Sequence, residues 1–487
     1  MSIVTHAARN NEHSAHDSLR GGYQSTRYWQ PLVVSDLGTS WRPDGVGPAS
    51  FPHGATHALN WASENHLRCS RGKQVPFSTL YPAMVAFTFA LLATTISVAS
   101  KTSAADTPDL TLPPGAVYVD PLKYNVLGAN YTEWRTNNSL VGFNPTHTTS
   151  PFIQVFDPSF LDITGSDATI RLVASHPGFA VAHEAPIYVP DLNVVFFASN
   201  AGGTLGYSGW YNNSVVSMIN LTEVDIALAA NPGGVHVSIQ TLNLSDTVQM
   251  VNGGTGPFKG NLLFVTSGRA LLPPSVALVN PSPPFNTTVL LDNFYGRQFN
   301  SLNDVKILPG TDIIYFTDPS YGWLNSFRPE PMLPSQVYRF DPSTGQVQVV
   351  ADQFVNPNGI AFTPDGKTAF VTDTGSAGGF LGTNQTLPAT IYQYDVDPVT
   401  QSFENRRVFA YSDSGIPDGI QLDMNGNVYS GCGEGIHVWN PQGTLIGKFF
   451  IDSTTPELMF TKSGLLIFNE QWIYLANIKA QGIDLSV

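Results

Sequence analysis

Cysteine is almost missing from this chain of 487 residues: Cys69 and Cys432 are the only two. Two thiols say nothing about the redox compartment, and no cysteine pair is available for a zinc site. Cys432, inside the apparent strand Val428–Cys432, reads as a small buried residue rather than a nucleophile. Basic residues are also scarce, with 23 Lys and Arg against 37 Asp and Glu and a formal net charge of −14. A chain of that sign repels phosphate backbones and anionic membrane surfaces, which excludes nucleic acid as a partner. Gly-x-Ser-x-Gly, the Walker loop and His-Glu-x-x-His are all absent, so none of these common hydrolytic or nucleotide-binding signatures applies. Long amphipathic helical stretches with caps are missing too, and helix content is expected to be low.

Long apolar runs are limited to one, residues 84–99 (MVAFTFALLATTISVA), too short and Thr-rich to span a membrane comfortably. Ser103-Ala104-Ala105 follows with the small-x-small pattern of a signal-peptidase site. The reading is a signal peptide over residues 84–105 and a mature chain beginning near Asp106, secreted and with no stable membrane insertion after cleavage. Residues 1–83 show no periodicity and are expected to be an unstructured upstream extension outside the working protein. Asn130, Asn137, Asn212, Asn220, Asn243, Asn286 and Asn384 head glycosylation triplets, all beyond residue 105, as a secretory route requires.

What the chain has in quantity is turn chemistry. Forty-three Gly and 36 Pro punctuate short runs rich in Val, Ile, Phe, Tyr and Thr. Six of the turns, Pro190-Asp191, Lys259-Gly260, Pro309-Gly310, Asp365-Gly366, Asn425-Gly426 and Ser463-Gly464, introduce the strands Val194–Ala198, Asn261–Val265, Ile313–Thr317, Thr368–Thr372, Asn427–Ser430 and Leu465–Phe468. About six or seven residues before each turn stands a carboxylate or a side-chain amide: Glu184, Asn252, Asn303, Asn358, Asp418 and Glu457. A β-rich unit recurring six times predicts an all-β chain, a six-bladed β-propeller over residues 106–487. Corresponding residues of successive blades point to one end of the central channel, so six oxygen-bearing side chains converge there. Oxygen is what a hard divalent cation such as Ca²⁺ takes, which predicts a central metal site. Asn358-Gly359-Ile360 and Asp418-Gly419-Ile420 pass straight into apolar alternation, as inner strands do.

Asn303-Asp304-Val305 ahead of Ile314–Pro319, Pro357-Asn358-Gly359-Ile360 ahead of Pro364–Lys367, Pro417-Asp418-Gly419-Ile420 ahead of Asn427-Val428-Tyr429, and the stretch Gly431–Pro441 resemble the gluconolactonase and regucalcin family. The resemblance runs from about residue 175 to the C-terminus and is nearest to secreted fungal lactonohydrolases. It implies a six-bladed propeller with a catalytic divalent cation, usually calcium, at one channel mouth. Carried over by motif, it implies Glu184, Asn358 and Asp418 as metal ligands, with Asn303 a fourth ligand or a substrate contact. The family's Glu is usually followed by Gly-Pro, whereas this chain has Ala185-Pro186. Its sixth-blade position, often Asn, is Glu457 here, a further ligand charge or a rim carboxylate.

Two carboxylates and two amides leave a calcium ion close to neutral with positions open for water and substrate. Such an ion polarises an ester carbonyl, and a lactone suits it because the leaving oxygen stays tethered. The small-molecule partner is therefore expected to be a hydroxy-acid or sugar lactone, of the aldonolactone or pantoyl lactone type. Candidates for the base are Asp304, Asp418, Glu184 and His183; metal bonding weakens a carboxylate as a base, which favours Asp304 or His183. His437, flanked by Ile436 and Val438, reads as structural. Tyr321–Pro334 is too rich in Pro and aromatics for a strand interior and is a candidate flap, with Trp323 and Arg328 as substrate contacts beside Asn252 and Glu457. Asp318 and Asp373 read as turn-formers. Two rivals share the architecture: a strictosidine-synthase-like enzyme working without a metal, and a non-catalytic calcium-stabilised binding propeller.

Overall fold

Asp365-Gly366 shows how the sequence sets the local structure. Gly366 takes φ 66°, a left-handed value that costs glycine little, while Asp365 Oδ1 accepts from the Thr363 hydroxyl at 2.7 Å and from Lys367 N at 3.2 Å. The chain reverses there, and Pro357–Phe362 pairs antiparallel with Thr368–Asp373. The same device recurs around the molecule. The computed structural model describes residues 110–129, 134–135 and 142–485. The expected leader and upstream extension, with Asn130 and Asn137, lie outside the described residues.

Six sheets, antiparallel except for one parallel pair at the outer edge of the fifth, follow one another in a ring. Their innermost strands are Glu184–Val189, Val251–Phe258, Val305–Ile307, Pro357–Phe362, Ile420–Leu422 and Glu457–Thr461, and each touches the next, the sixth meeting the first. The expected six-bladed propeller is the fold observed. Second strands fall at Val194–Ala198, Asn261–Thr266, Ile314–Asp318, Thr368–Asp373, Val428–Gly431 and Gly464–Asn469, within about a residue of the sequence reading at most ends.

Blade six borrows its outermost strand. Thr169–Ser175, which precedes blade one in the chain, pairs antiparallel with Trp472–Asn477 and fastens the two ends of the propeller together. Blade five carries two extra strands on its outer edge: Phe152–Val155 antiparallel to Leu445–Phe450, then Ala116–Tyr118 parallel to Phe152–Val155. These cover an edge that would otherwise offer unpaired backbone.

Apolar alternation buries one cluster between each pair of adjacent blades. Phe196 and Phe264 belong to the cluster of blades one and two, Phe316 and Tyr338 to that of two and three, and Phe197 and Phe468 to that closing six onto one. Truncating such an aromatic to Ala costs about 3–5 kcal/mol. Helix is sparse, as expected. The longest described helix, Leu221–Ala230, is capped by Asn220, whose Oδ1 accepts from Thr222 N at 2.9 Å. No helix among the described residues is long and apolar enough to cross a membrane.

Candidate active site

The inner strands start so close together that a side chain between them would collide. A Cβ on Gly253 would stand 2.4 Å from Asn303 O, one on Gly359 2.5 Å from Asp418 O, and one on Gly419 2.1 Å from the Glu457 carboxyl carbon. Glycine after Asn252, Asn358 and Asp418 is therefore a packing requirement that lets each polar side chain crowd against the next blade. Blade one differs: Ala185 occupies the equivalent place at φ 54°, in the left-handed region, and is fully buried.

Hydroxyls on or just past the second strands lock the inner-strand entries, three of them across to the neighbouring blade and Ser430 within blade five. Thr317 Oγ1 donates to Asn358 O at 2.7 Å, Thr372 Oγ1 to Asp418 O at 3.0 Å, Ser430 Oγ to Gly419 O at 2.9 Å and Ser267 Oγ to Leu302 O at 2.8 Å. Asp318 and Asp373, read from the sequence as turn-formers, instead brace the loop that leads into their own blade's inner strand, although Asp373 Oδ1 also accepts from Gly375 N at 3.2 Å. Asp318 accepts from Asn300 N and Ser301 N at 3.0 and 2.8 Å, and Asp373 from Val355 N and Asn356 N at 3.0 and 2.9 Å.

All six of the recurring residues are buried and stand at or within two residues of the start of an inner strand. Asn358 hydrogen-bonds the Asp418 carboxylate, and Asn252 Nδ2 lies 3.4 Å from Asn303 O. Glu457 Oε2 accepts from its own neighbour, Leu458 N, at 3.2 Å. Burial raises the Glu184 carboxyl to about 8, partly opposed by His183, and Asp418 and Asp304 push it the same way. Asp418 is raised to about 6, again by burial. Glu457 is pushed well above the usual carboxylate range by burial and by Asp304, Glu184 and Asp418. Four buried acidic side chains, Glu184, Asp304, Asp418 and Glu457, thus act on one another electrostatically, with His183 and Lys306 the cations among them. Asn303 Oδ1 is buried with no hydrogen-bond partner. An orphaned amide oxygen beside crowded carboxylates is a donor set that fits a divalent cation.

Asp304 requires a correction. Its carboxylate is occupied: Lys306 Nζ lies 2.9 and 3.1 Å from the two oxygens, and Val305 N and Ile360 N donate at 2.7 and 2.9 Å. A carboxylate paired and hydrogen-bonded in this way has no lone pair turned to a substrate water, so Asp304 is a structural ion-pair partner rather than the expected base. Arg328 is corrected too. Its guanidinium is buried and donates to the carbonyls of Ala270 at 2.9 Å and Leu272 at 2.6 Å and to Gln298 Oε1 at 3.2 Å, bracketing two loops instead of facing substrate. The segment Tyr321–Pro334 does lie outside the strands, and Trp323, in the helical turn Tyr321–Leu324, meets Phe380, in the 3-10 turn Gly379–Leu381, edge-on at 4.9 Å.

His183 is held more firmly than the sequence suggests. Nδ1 lies 2.8 Å from Glu470 Oε1, Nε2 lies 3.2 Å from Glu184 Oε1, and Asn200 Nδ2 reaches Glu470 Oε1 at 3.2 Å. Burial alone would lower this imidazole's pKa, yet the two carboxylates outweigh it and hold it well above the ordinary value. Glu470 and Asn200 carry one signal in the sequence, a polar residue just past a second strand, a place close to that of the loop-bracing Asp318 and Asp373.

Asp413, Glu434 and His437 place ligand-type atoms within 4.8 Å of one another. Lys448 Nζ, fully buried, sits 2.7 Å from both carboxylates and already supplies the cation. His437 is structural, as expected, in a buried ion network.

Residues 240–459 match the family described as SMP-30/Gluconolactonase/LRE-like region. Lactonohydrolase oryL of Aspergillus oryzae is 30% identical over 302 residues, 57% of this chain and 63% of that protein. Lactonohydrolase oryH of the same organism is 25% identical over 385 residues, covering 64% of this chain and 76% of that one. A solved gluconolactonase structure from Xanthomonas campestris superposes with a TM-score of 0.52 at 20% identity, covering 68% of this chain and 95% of the other, and shares the fold. The chain spans a little under two thirds of the length of oryL.

Proposed function

Because residues 240–459 match the family described as SMP-30/Gluconolactonase/LRE-like region and lactonohydrolase oryL is similar over 57% of the chain, we propose that it is a lactone hydrolase using a divalent cation, calcium, held by Glu184, Asn303, Asn358 and Asp418. The observation that carries the reading is the partnerless, buried Asn303 Oδ1 beside carboxylates that burial and mutual repulsion keep far from their ordinary pKa. Bound there, a cation supplies a Lewis acid for an ester carbonyl and for the oxyanion that follows. His183 is the base. With Nδ1 tied to Glu470, Nε2 takes a proton from the attacking water and returns it to the ring oxygen as the C–O bond breaks, giving the hydroxy acid. Trp323, Asn252 and Glu457 remain as candidate substrate contacts, and the substrate is a small hydroxy-acid or sugar lactone.

The test is turnover of a simple lactone by the purified chain, before and after exhaustive chelation and with calcium restored. Loss on chelation and recovery with calcium is the expected result; undiminished hydrolysis in chelator removes the metal, and no hydrolysis of any lactone removes the activity.

Secretion is part of the same reading. Asn212, Asn243, Asn286 and Asn384 are exposed, as glycan acceptors must be. N-terminal sequencing of material from the medium should begin near Asp106; intact residues 1–83 on an unglycosylated cytosolic protein would contradict it.

A further inference from the structure

A cavity of about 200 Å³ opens over blades four, five and six, at the same end as the recurring polar residues, and Asp418 is part of its wall. Its remaining lining is mostly uncharged and apolar. Ala377, Ile416, Cys432 and Pro456 contribute carbon and sulfur surface, and Gly415 and Gly433 present bare backbone. Ser376, Thr383, Thr454 and Thr455 add short hydroxyl side chains, each with a carbon face of its own. No Arg, Lys, Asn, Gln or His lines it, so the long donors and acceptors that satisfy vicinal hydroxyls are missing.

The walls are built rather than incidental. Gly415 takes φ 63°, and a Cβ on it would stand 2.7 Å from Gly433 Cα, so two loops touch backbone to backbone. Gly433 N donates to Ser414 O at 3.1 Å, Thr455 N to Cys432 O at 3.0 Å and Ser376 N to Pro388 O at 2.8 Å. The cavity is therefore preformed, as small-molecule sites usually are. An apolar cavity of about 150 Å³ holds one benzene, so this one takes a group on the order of six or more heavy atoms.

We propose that this cavity is the subsite for a compact apolar substituent on the lactone, so that the preferred substrate is an alkyl- or aryl-bearing lactone rather than a bare sugar lactone. The inference rests on the lactone-hydrolase reading of the site at Asp418. A polyol placed here would exchange full hydration for a few short hydroxyls and gain little from the carbon surface of Ala377, Ile416 and Pro456, whereas each methylene buried in a hydrophobic pocket is worth about 10–200-fold in kcat/KM.

The experiment compares kcat/KM of the full chain, with calcium, on three five-membered lactones: unsubstituted, carrying a four-carbon chain on the ring carbon beside the ring oxygen, and carrying a dihydroxyethyl group there. The expected order places the alkyl lactone at least about tenfold above both others. Ala377→Phe, which fills the cavity from a loop, should cut the ratio of alkyl to unsubstituted lactone by about tenfold or more, and Ile416→Asn, introducing an amide, should cut it as well. A melting curve on each variant shows that it is folded, and the ratio within one protein cancels any loss of active material. Equal rates on all three lactones, preference for the polyol, or an unchanged ratio in both variants overturns the subsite while leaving lactone hydrolysis standing. Hydrolysis of none of the three overturns the lactone-hydrolase reading itself.

Discussion

His183 Nδ1 and Glu470 Oε1 stand 2.8 Å apart although 287 residues separate them in the chain. The contact crosses the seam where blade six meets blade one, and it is braced by Ala182 N donating to Glu470 O at 2.8 Å. Closure of the ring therefore also sets the orientation of the one imidazole beside Glu184.

Glu470→Gln should lower kcat by about 10- to 100-fold with little change in KM, less than the roughly 10²–10⁴-fold expected for His183→Gln, which removes the base outright. The pH profile of kcat should move with it. Steady-state kinetics on both variants provide the check, and an unaltered kcat in Glu470→Gln would show that His183 needs no such support.

Burial raises Glu184 to about 8 from 4.5 and Asp418 to about 6 from 3.8 in the metal-free protein. Raised acids mean that the folded chain binds more protons than the unfolded one between about pH 4 and 8, so metal-free stability falls as pH rises through that window and levels off above it. Protons and a cation compete for the same oxygens. The calcium-induced rise in Tm should therefore grow from about pH 5 to about pH 9. Thermal melts with calcium and with chelator across that range provide the measurement, and a shift that stays flat or shrinks would show that these carboxylates do not hold the ion.

Asp304→Asn should act on stability before it acts on chemistry. Lys306 is buried beside Asp304, and leaving its charge without a counter-ion costs about 3–5 kcal/mol. Pairing the change with Lys306→Met should restore part of the loss, which denaturant unfolding of the single and double variants would show. A fully stable Asp304→Asn with slowed turnover would return Asp304 to the role of base.

Ala185 holds φ 54° at the place that Gly253, Gly359 and Gly419 take in blades two, four and five. A left-handed backbone costs an L-residue about 1–2 kcal/mol, of which glycine's extra freedom in the unfolded chain takes back about 0.5–1. Ala185→Gly should raise Tm by about 1–2 °C, read by calorimetry at fixed calcium. A lower Tm would mean that the Ala185 methyl packs well enough to outweigh the strain.

The repeat, the turns and the strands were legible in the sequence because each depends on neighbours a few residues apart. Asp365-Gly366 makes its own reversal, and Asn358-Gly359-Ile360 announces an inner strand by its alternation. Those local rules determined a six-bladed propeller and named the six polar positions at the inner-strand starts. Only the tertiary structure decided what each position meets. Lys306, two residues from Asp304, turned an apparent base into an ion-pair partner, and Arg328 was drawn to carbonyls of another loop. Thr169–Ser175 left its own place in the chain to complete blade six. Glu470 and Asn200 reached His183 through a ring closure that no local pattern encodes. Short-range propensity specifies elements, whereas the partner of a buried charge is set by which distant backbone comes near it, and that is a property of the closed ring.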